Sequence, residues 1–198
     1  MKKTTKKSAK KPTAAPASNG KVKVATMWLS GCSGCHMSLL DIDERILELL
    51  KHVDILFSPI VDIKIKDLPY VDVGIVEGCV NNTDQEHELK LMRERCKVLI
   101  ALGDCAVTGN VPSLRNQFPL KECLSRAYEQ TESTKISCIP NDPVVPKLLP
   151  KAHPLQEIVK VDLHVPGCPP DADAIWYVLT ELLAGRTPQF NEKNMRYD

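Results

Sequence analysis

Val22-Lys23-Val24-Ala25-Thr26-Met27-Trp28-Leu29 runs directly into Ser30-Gly31-Cys32-Ser33-Gly34-Cys35, and from His36 the apolar residues Leu39, Ile42, Ile46, Leu49 and Leu50 recur at helical spacing. The first segment predicts a strand and the second a glycine-bearing turn. The third predicts an amphipathic helix over 36–51, with Asp41, Asp43, Glu44 and Glu48 on its wet side. A strand that feeds a helix through a short turn opens a β-α-β unit, and this unit decides the fold class.

The same alternation continues outward. Residues 53–61, 71–76 and 97–102 predict strands and residues 84–95 a helix. A last strand is expected over 158–165, then the turn Pro166-Gly167-Cys168-Pro169-Pro170 and a helix over 171–183 stopped by Gly185 and Pro188. Strand after helix after strand implies an α/β fold with an open parallel sheet. Between Asp104 and Pro154 stand Pro112, Pro119, Pro140, Pro143, Pro146, Pro150 and Pro154, with helical stretches only near 120–130 and 144–149. This segment predicts a long irregular excursion before the last strand, and long loops commonly face function or a partner. No internal repeat is present.

Composition narrows the function classes. A chain of 198 residues suits one domain. Its formal charge of +1 conceals an asymmetry, because residues 1–21 hold seven lysines and no acid. The remainder carries 19 basic against 25 acidic residues, a body of about −6 that repels phosphate and speaks against nucleic-acid binding. Residues 1–21 read as a disordered, solvated, Lys-rich tail, and residues 22–198 as the folded domain. Removal of the tail is expected to leave the body unaffected. Residues 1–20 show neither a signal-peptide core nor a twin-arginine pair, and no stretch approaches the ~18 apolar residues of a membrane span. The expectation is a cytoplasmic protein with no membrane span, whose eight cysteines are reduced and available for metal or catalysis rather than for disulfides.

Ligands of open α/β sheets bind outside the carboxyl ends of the strands. Cys32 and Cys35 follow the first strand, Cys79 the third, Cys105 the fourth and Cys168 the last, so all five point to that edge. Cys96 ends a helix at the opposite edge. Cys123 and Cys138 fall in the excursion, and these three read as small buried hydrophobes. A C-x-x-C pair alone also fits a redox dithiol or half a zinc site. Two further single cysteines at the same edge favour an iron–sulfur cube over a zinc ion or reactive thiols, because four thiolates on three separate loops suit a bulky cluster. Gly31, Gly34, Gly78, Gly103 and Gly167 lie one or two residues before these cysteines and let backbone approach the sulfides. The helix starting near His36 turns its positive end toward the anionic cluster. Cys79, without a paired neighbour, is placed near the cluster but not bound to it.

Four segments in order, Gly-Cys-Ser-Gly-Cys-His-Met-Ser at 31–38, Val-Glu-Gly-Cys at 76–79, Gly-Asp-Cys-Ala at 103–106 and Pro-Gly-Cys-Pro-Pro at 166–170, resemble the small subunit of nickel–iron hydrogenases over residues 22–187. Leu-Leu-Asp-Ile-Asp-Glu at 39–44 and Thr-Gly-Asn-Val-Pro at 108–112 look most like the cytoplasmic bidirectional, NAD(P)-linked type, with methanogen hydrogenase subunits next. The resemblance implies a flavodoxin-like domain carrying one 4Fe-4S cluster on Cys32, Cys35, Cys105 and Cys168. It implies two kinds of partner: a large subunit with the Ni-Fe site, and diaphorase subunits with iron–sulfur and flavin groups. This chain would conduct electrons between them and would not be catalytic alone. The related subunit of respiratory complex I resembles it too, but carries adjacent cysteines where Cys32 and Cys35 are two residues apart. Asp104 and Cys79 stand where the family often has small residues, which puts a charge near the cluster. Glu77 has two readings, a proton-transfer or interface group and a carboxylate that caps a turn; His36 likewise lines an interface or fills the first helical turn. The chain offers no second C-x-x-C pair for nickel, no G-x-G-x-x-G fingerprint and no nucleophile elbow. A flavodoxin-like FMN carrier is the competing class. Cysteines stand where its phosphate loop would lie, while a flavin beside the cluster stays open.

Overall fold

Residues 20–59, 65–133, 135 and 137–191 are described in a computed structural model of the protein; the Lys-rich tail lies almost wholly outside them. Strand β1 (Val22–Trp28) is followed by helices α1 (Gly34–Leu40) and α2 (Arg45–His52), strand β2 (Val53–Phe57) and strand β3 (Val71–Glu77). A short strand β4 (Val80–Asn82) leads into α3 (Thr83–Arg95) and strand β5 (Cys96–Leu102), then α4 (Asp104–Thr108), a 3-10 segment (Val111–Gln117) and α5 (Leu120–Tyr128). Strands β6 (Leu148–His153) and β7 (Leu163–Val165) and helix α6 (Ala172–Leu183) complete the chain.

The central sheet has the order β2-β1-β3-β5-β7 and every pairing in it is parallel, the flavodoxin-like arrangement expected. Strands buried on both faces must be apolar throughout, and β5 shows it. Leu99 and Ala101 join Leu89 and Met92 of α3 on one face, while Ile100 and Leu102 join Leu49 of α2 and Ile175 and Val178 of α6 on the other. Local signals fix the helix ends. The Asn82 side chain accepts the Gln85 N–H at the start of α3, whose first turn is acidic and last turn basic. Asp171 caps α6 in the same way through the Asp173 N–H.

Three expectations need correction. The single helix over 36–51 is two helices, because Asp43 adopts a left-handed conformation (φ 54) that short polar side chains tolerate. Residues 144–149 are not helical: Leu148–His153 forms β6, which pairs antiparallel with β4 in a separate two-stranded sheet. The last strand begins only at Leu163. Just before it, Asp162 takes over the pairing, since its carboxylate accepts the Leu99 N–H (2.9 Å) while its own N–H bonds to Leu99 O (2.9 Å).

Candidate functional site: cysteines at the carboxyl edge

Register brings the site together. Trp28 pairs with Glu77, Glu77 with Leu102, and Leu102 with Val165, so β1, β3, β5 and β7 end in one row. The turns that leave this row carry Cys32 and Cys35, Cys79, Cys105 and Cys168. Backbone bonds lock the turns to each other: Gly103 N–H to Val165 O (2.7 Å), Asp104 N–H to Gly167 O (2.8 Å) and, in return, Gly167 N–H to the Asp104 carboxylate (2.7 Å). The charge at position 104 is therefore also a clamp between the Cys105 and Cys168 turns. Ser30 and Cys79 exchange both backbone bonds (3.0 and 2.9 Å), which ties the β1 turn to the β3 turn.

The sulfurs lie against bare backbone. A Cβ on Gly103 would stand 2.2 Å from Cys35 Sγ, one on Gly34 3.2 Å from Cys32 Sγ, and one on Gly31 3.9 Å from Cys105 Sγ. The thiols also feel one another. Burial first, and then the Glu77 carboxylate and the Cys105 and Cys32 sulfurs, push the Cys35 thiol far above its ordinary range. Burial, followed by the Cys168 and Cys32 sulfurs and by Asp104 and Glu77, raises Cys105. A thiol held protonated is a poor redox nucleophile, and Cys35 and Cys105 are both of that kind. A cationic iron centre would supply the positive charge that these thiolates lack, and the donor set fits such a group. Among the described residues no three Cys, His, Asp or Glu side chains converge as the donors of one metal ion do. The thiolates of a cube each bind a different iron and need not converge in that way.

Cys79 is fully buried, and burial pushes its thiol up to about 11, in keeping with a place beside the site. Cys96 is buried at the amino end of β5, as expected. Cys123 is only half-buried and Cys138 is exposed, so those two are not the buried hydrophobes expected of them. An open groove of about 760 Å³ beside α5 is lined by Phe118, Cys123 and Arg126 among others and contains none of the edge cysteines.

Glu77 and His36 form a buried pair, Nδ1 to Oε1 at 2.7 Å, and Glu77 Oε2 also accepts the His36 backbone N–H at 3.3 Å. Glu77 thus holds the first turn of α1, where Cys35 sits. His36 packs edge-on against Trp28, and its Nε2 is buried without a partner among the described residues. At 1% exposure it does not line an open surface of this chain. One site residue escaped sequence reasoning: the Asn110 side chain donates to Cys168 Sγ at 3.3 Å. Asn110 lies in the Thr-Gly-Asn-Val-Pro segment, but nothing in sequence spacing connects it with Cys168.

A flavodoxin-like sheet whose carboxyl edge presents a C-x-x-C pair and three single cysteines, Cys79, Cys105 and Cys168, defines a class of redox subunit. The family described as "NADH ubiquinone oxidoreductase, 20 Kd subunit" matches residues 32–182. The delta subunit of the NAD-reducing hydrogenase HoxS of Cupriavidus necator is 43% identical over 190 residues, covering 94% of this chain and 90% of that protein. A subunit of the F420-non-reducing hydrogenase of Methanothermobacter thermautotrophicus is 39% identical over 178 residues, covering 88% of this chain but 58% of that protein. A crystal structure of an NAD+-reducing [NiFe]-hydrogenase in the H2-reduced state superposes with a TM-score of 0.86 at 42% identity, over 90% of this chain and 99% of that one. The chain belongs to the 20 kDa-subunit family, as a small subunit of a nickel–iron hydrogenase of the NAD-reducing type. It is thus a hydrogenase subunit, an oxidoreductase component. Among the described residues no helix is long and apolar enough to cross a membrane.

Proposed function

We propose that this chain holds one 4Fe-4S cluster on Cys32, Cys35, Cys105 and Cys168 and conducts electrons between the Ni-Fe site of a large subunit and diaphorase subunits that reduce NAD(P), in the cytoplasm. The observation that carries this reading is the cradle: four strand ends in one register row, with sulfurs of three of the four cysteines set against glycine backbone. The cluster supplies a one-electron site that neither thiols nor backbone can offer. The chain's own groups do the rest. Asp104 fixes the distance between the Cys105 and Cys168 turns, Glu77 fixes the first turn of α1, and buried Ile75, Leu102 and Val165 exclude water from beneath the site.

Cys32 and Cys168 are exposed, and Trp28, Met37 and Leu40, on β1 and α1, are 39%, 47% and 42% exposed. Apolar surface beside donor atoms fits coverage by a large subunit, since permanent interfaces are apolar and wide. The NAD-linked reading is favoured over the methanogen type because the chain is 43% identical to the NAD-reducing relative against 39% to the methanogen one. It is favoured over an FMN carrier because Cys32 and Cys35 stand in the turn after β1.

The division of labour is testable. The purified chain alone is expected to neither oxidise dihydrogen nor reduce NAD, and to restore hydrogen-dependent NAD reduction when combined with the large and diaphorase subunits. Hydrogen uptake by the rigorously isolated chain would overturn the proposal, as would full activity of the other subunits without it.

A further inference from the structure

Asn110 has backbone dihedrals of φ 36 and ψ −130. This is not the left-handed helical well that asparagine tolerates, but a region that glycine alone enters without strain. Strained residues persist where surrounding structure holds them, and they gather at functional sites. Here the holding groups are visible. Asn110 O accepts both the Ser113 N–H (3.1 Å) and the Ser113 hydroxyl (2.7 Å). Arg115 ties the segment to Asn81, Leu149 and Pro150, and Asn116 exchanges two bonds with Ala152 (2.8 and 2.7 Å). An asparagine in this place bears a backbone cost that glycine would not. What it provides in return is its side-chain amide, 3.3 Å from Cys168 Sγ.

We propose that Asn110 is a positioning residue for the metal centre: its amide N–H steadies the Cys168 thiolate and sets the cluster at a higher reduction potential than the cysteines alone would give. The inference rests on the ligand set proposed above. A metal-bound thiolate is an acceptor only, so the amide nitrogen, not its oxygen, is the atom that must face it. Hydrogen bonds to cluster sulfurs favour the more negative, reduced state, and so raise the potential. Cys168 is the ligand where this matters, because it is exposed while Cys35 is buried.

The test uses the full chain assembled with its large subunit, purified anaerobically, with Asn110→Gly and Asn110→Asp as variants. Asn110→Gly is expected to be at least as resistant to heat as the parent, yet to show a lower cluster midpoint in an EPR-monitored redox titration and several-fold faster iron loss to a chelator. Asn110→Asp, which loses the donor and adds a charge, is expected to shift the midpoint lower still. A purely structural asparagine would change thermal resistance and leave the midpoint unmoved, and that result would overturn the proposal. Failure of Asn110→Gly to assemble would overturn it too, since it contradicts the strain argument. If the parent assembly carries a four-iron cluster and the titrations superpose, only this inference fails. If this chain carries no such cluster, the ligand assignment fails first.

Discussion

Serine at any one of Cys32, Cys35, Cys105 or Cys168 removes the cluster or converts it to a smaller one, seen as lost iron, lost acid-labile sulfide and an altered EPR signal. Serine conserves shape, but its oxygen is a hard donor with a pKa too high to deprotonate readily, whereas iron–sulfur clusters are held by soft thiolates. The effect should be largest at Cys35, whose sulfur lies deepest and packs against Gly103. The other cysteines set the controls. Cys138 is exposed and Cys123 half-buried, so Cys138→Ser and Cys123→Ser should retain the full cluster. Cys96→Ser buries a hydroxyl in place of a thiol at the amino edge, costing about 1–3 kcal/mol of stability without touching iron content. Cys79→Ser is the sharpest comparison, because Cys79 neighbours Cys105 and is fully buried. Loss of the cluster in Cys79→Ser, with two of the four assigned positions tolerating serine, would show the ligand set to be wrong.

Gly103→Ala is expected to be nearly as damaging, although it replaces no ligand. Gly103 has φ 83 and ψ 162, a backbone region that L side chains enter only at a cost of about 1–3 kcal/mol. The added methyl would stand 2.2 Å from Cys35 Sγ and 3.4 Å from Gly167 O, so Cys35 must move and the Cys168 turn with it. Cluster content should fall by more than half. Gly185→Ala provides the matched control, because Gly185 also has positive φ (71) but meets nothing within 4 Å. It should cost about 1 kcal/mol of stability and leave iron content unchanged. Equal iron in the Gly103 and Gly185 variants would mean that the cradle does not hold a cluster.

These two sets of variants also mark where the sequence was informative. The placement of the edge cysteines followed from strand periodicity alone, because a parallel sheet puts every strand's carboxyl end on one side and the β1, β3, β5 and β7 turns all leave that side. What periodicity could not resolve was competition between local and tertiary pairing. Leu39, Ile42, Ile46 and Leu49 keep one helical phase across the break at Asp43, so the apolar pattern hides a left-handed residue that only backbone geometry exposes. Leu148–His153 contains Pro150 and lies in a proline-rich stretch, yet pairs with Val80–Asn82 far away in sequence, a contact no local window contains. The start of the last strand is displaced because the Asp162 carboxylate, paired also with Arg93 (2.5 Å), substitutes for a strand hydrogen bond.

The site shows the same division. Residue types and spacing placed the cysteines at the carboxyl edge, whereas the groups that hold their turns in place come from other turns. Glu77 reaches from β3 to the first turn of α1, Asp104 from the β5 turn to Gly167, and Asn110 to Cys168 across 58 positions of sequence. Glu77, one of two readings for which was a simple cap, does secure a helical turn; the buried His36 pairs with it.

The central claim, one 4Fe-4S cluster on this chain, is tested most directly by iron and acid-labile sulfide analysis of the anaerobically purified full chain, with EPR after reduction. The account predicts about four irons and four sulfides per chain and a signal from a single reduced cube. Stoichiometric zinc, or a chain that takes up no iron and sulfide under reconstituting conditions while remaining folded, would contradict it.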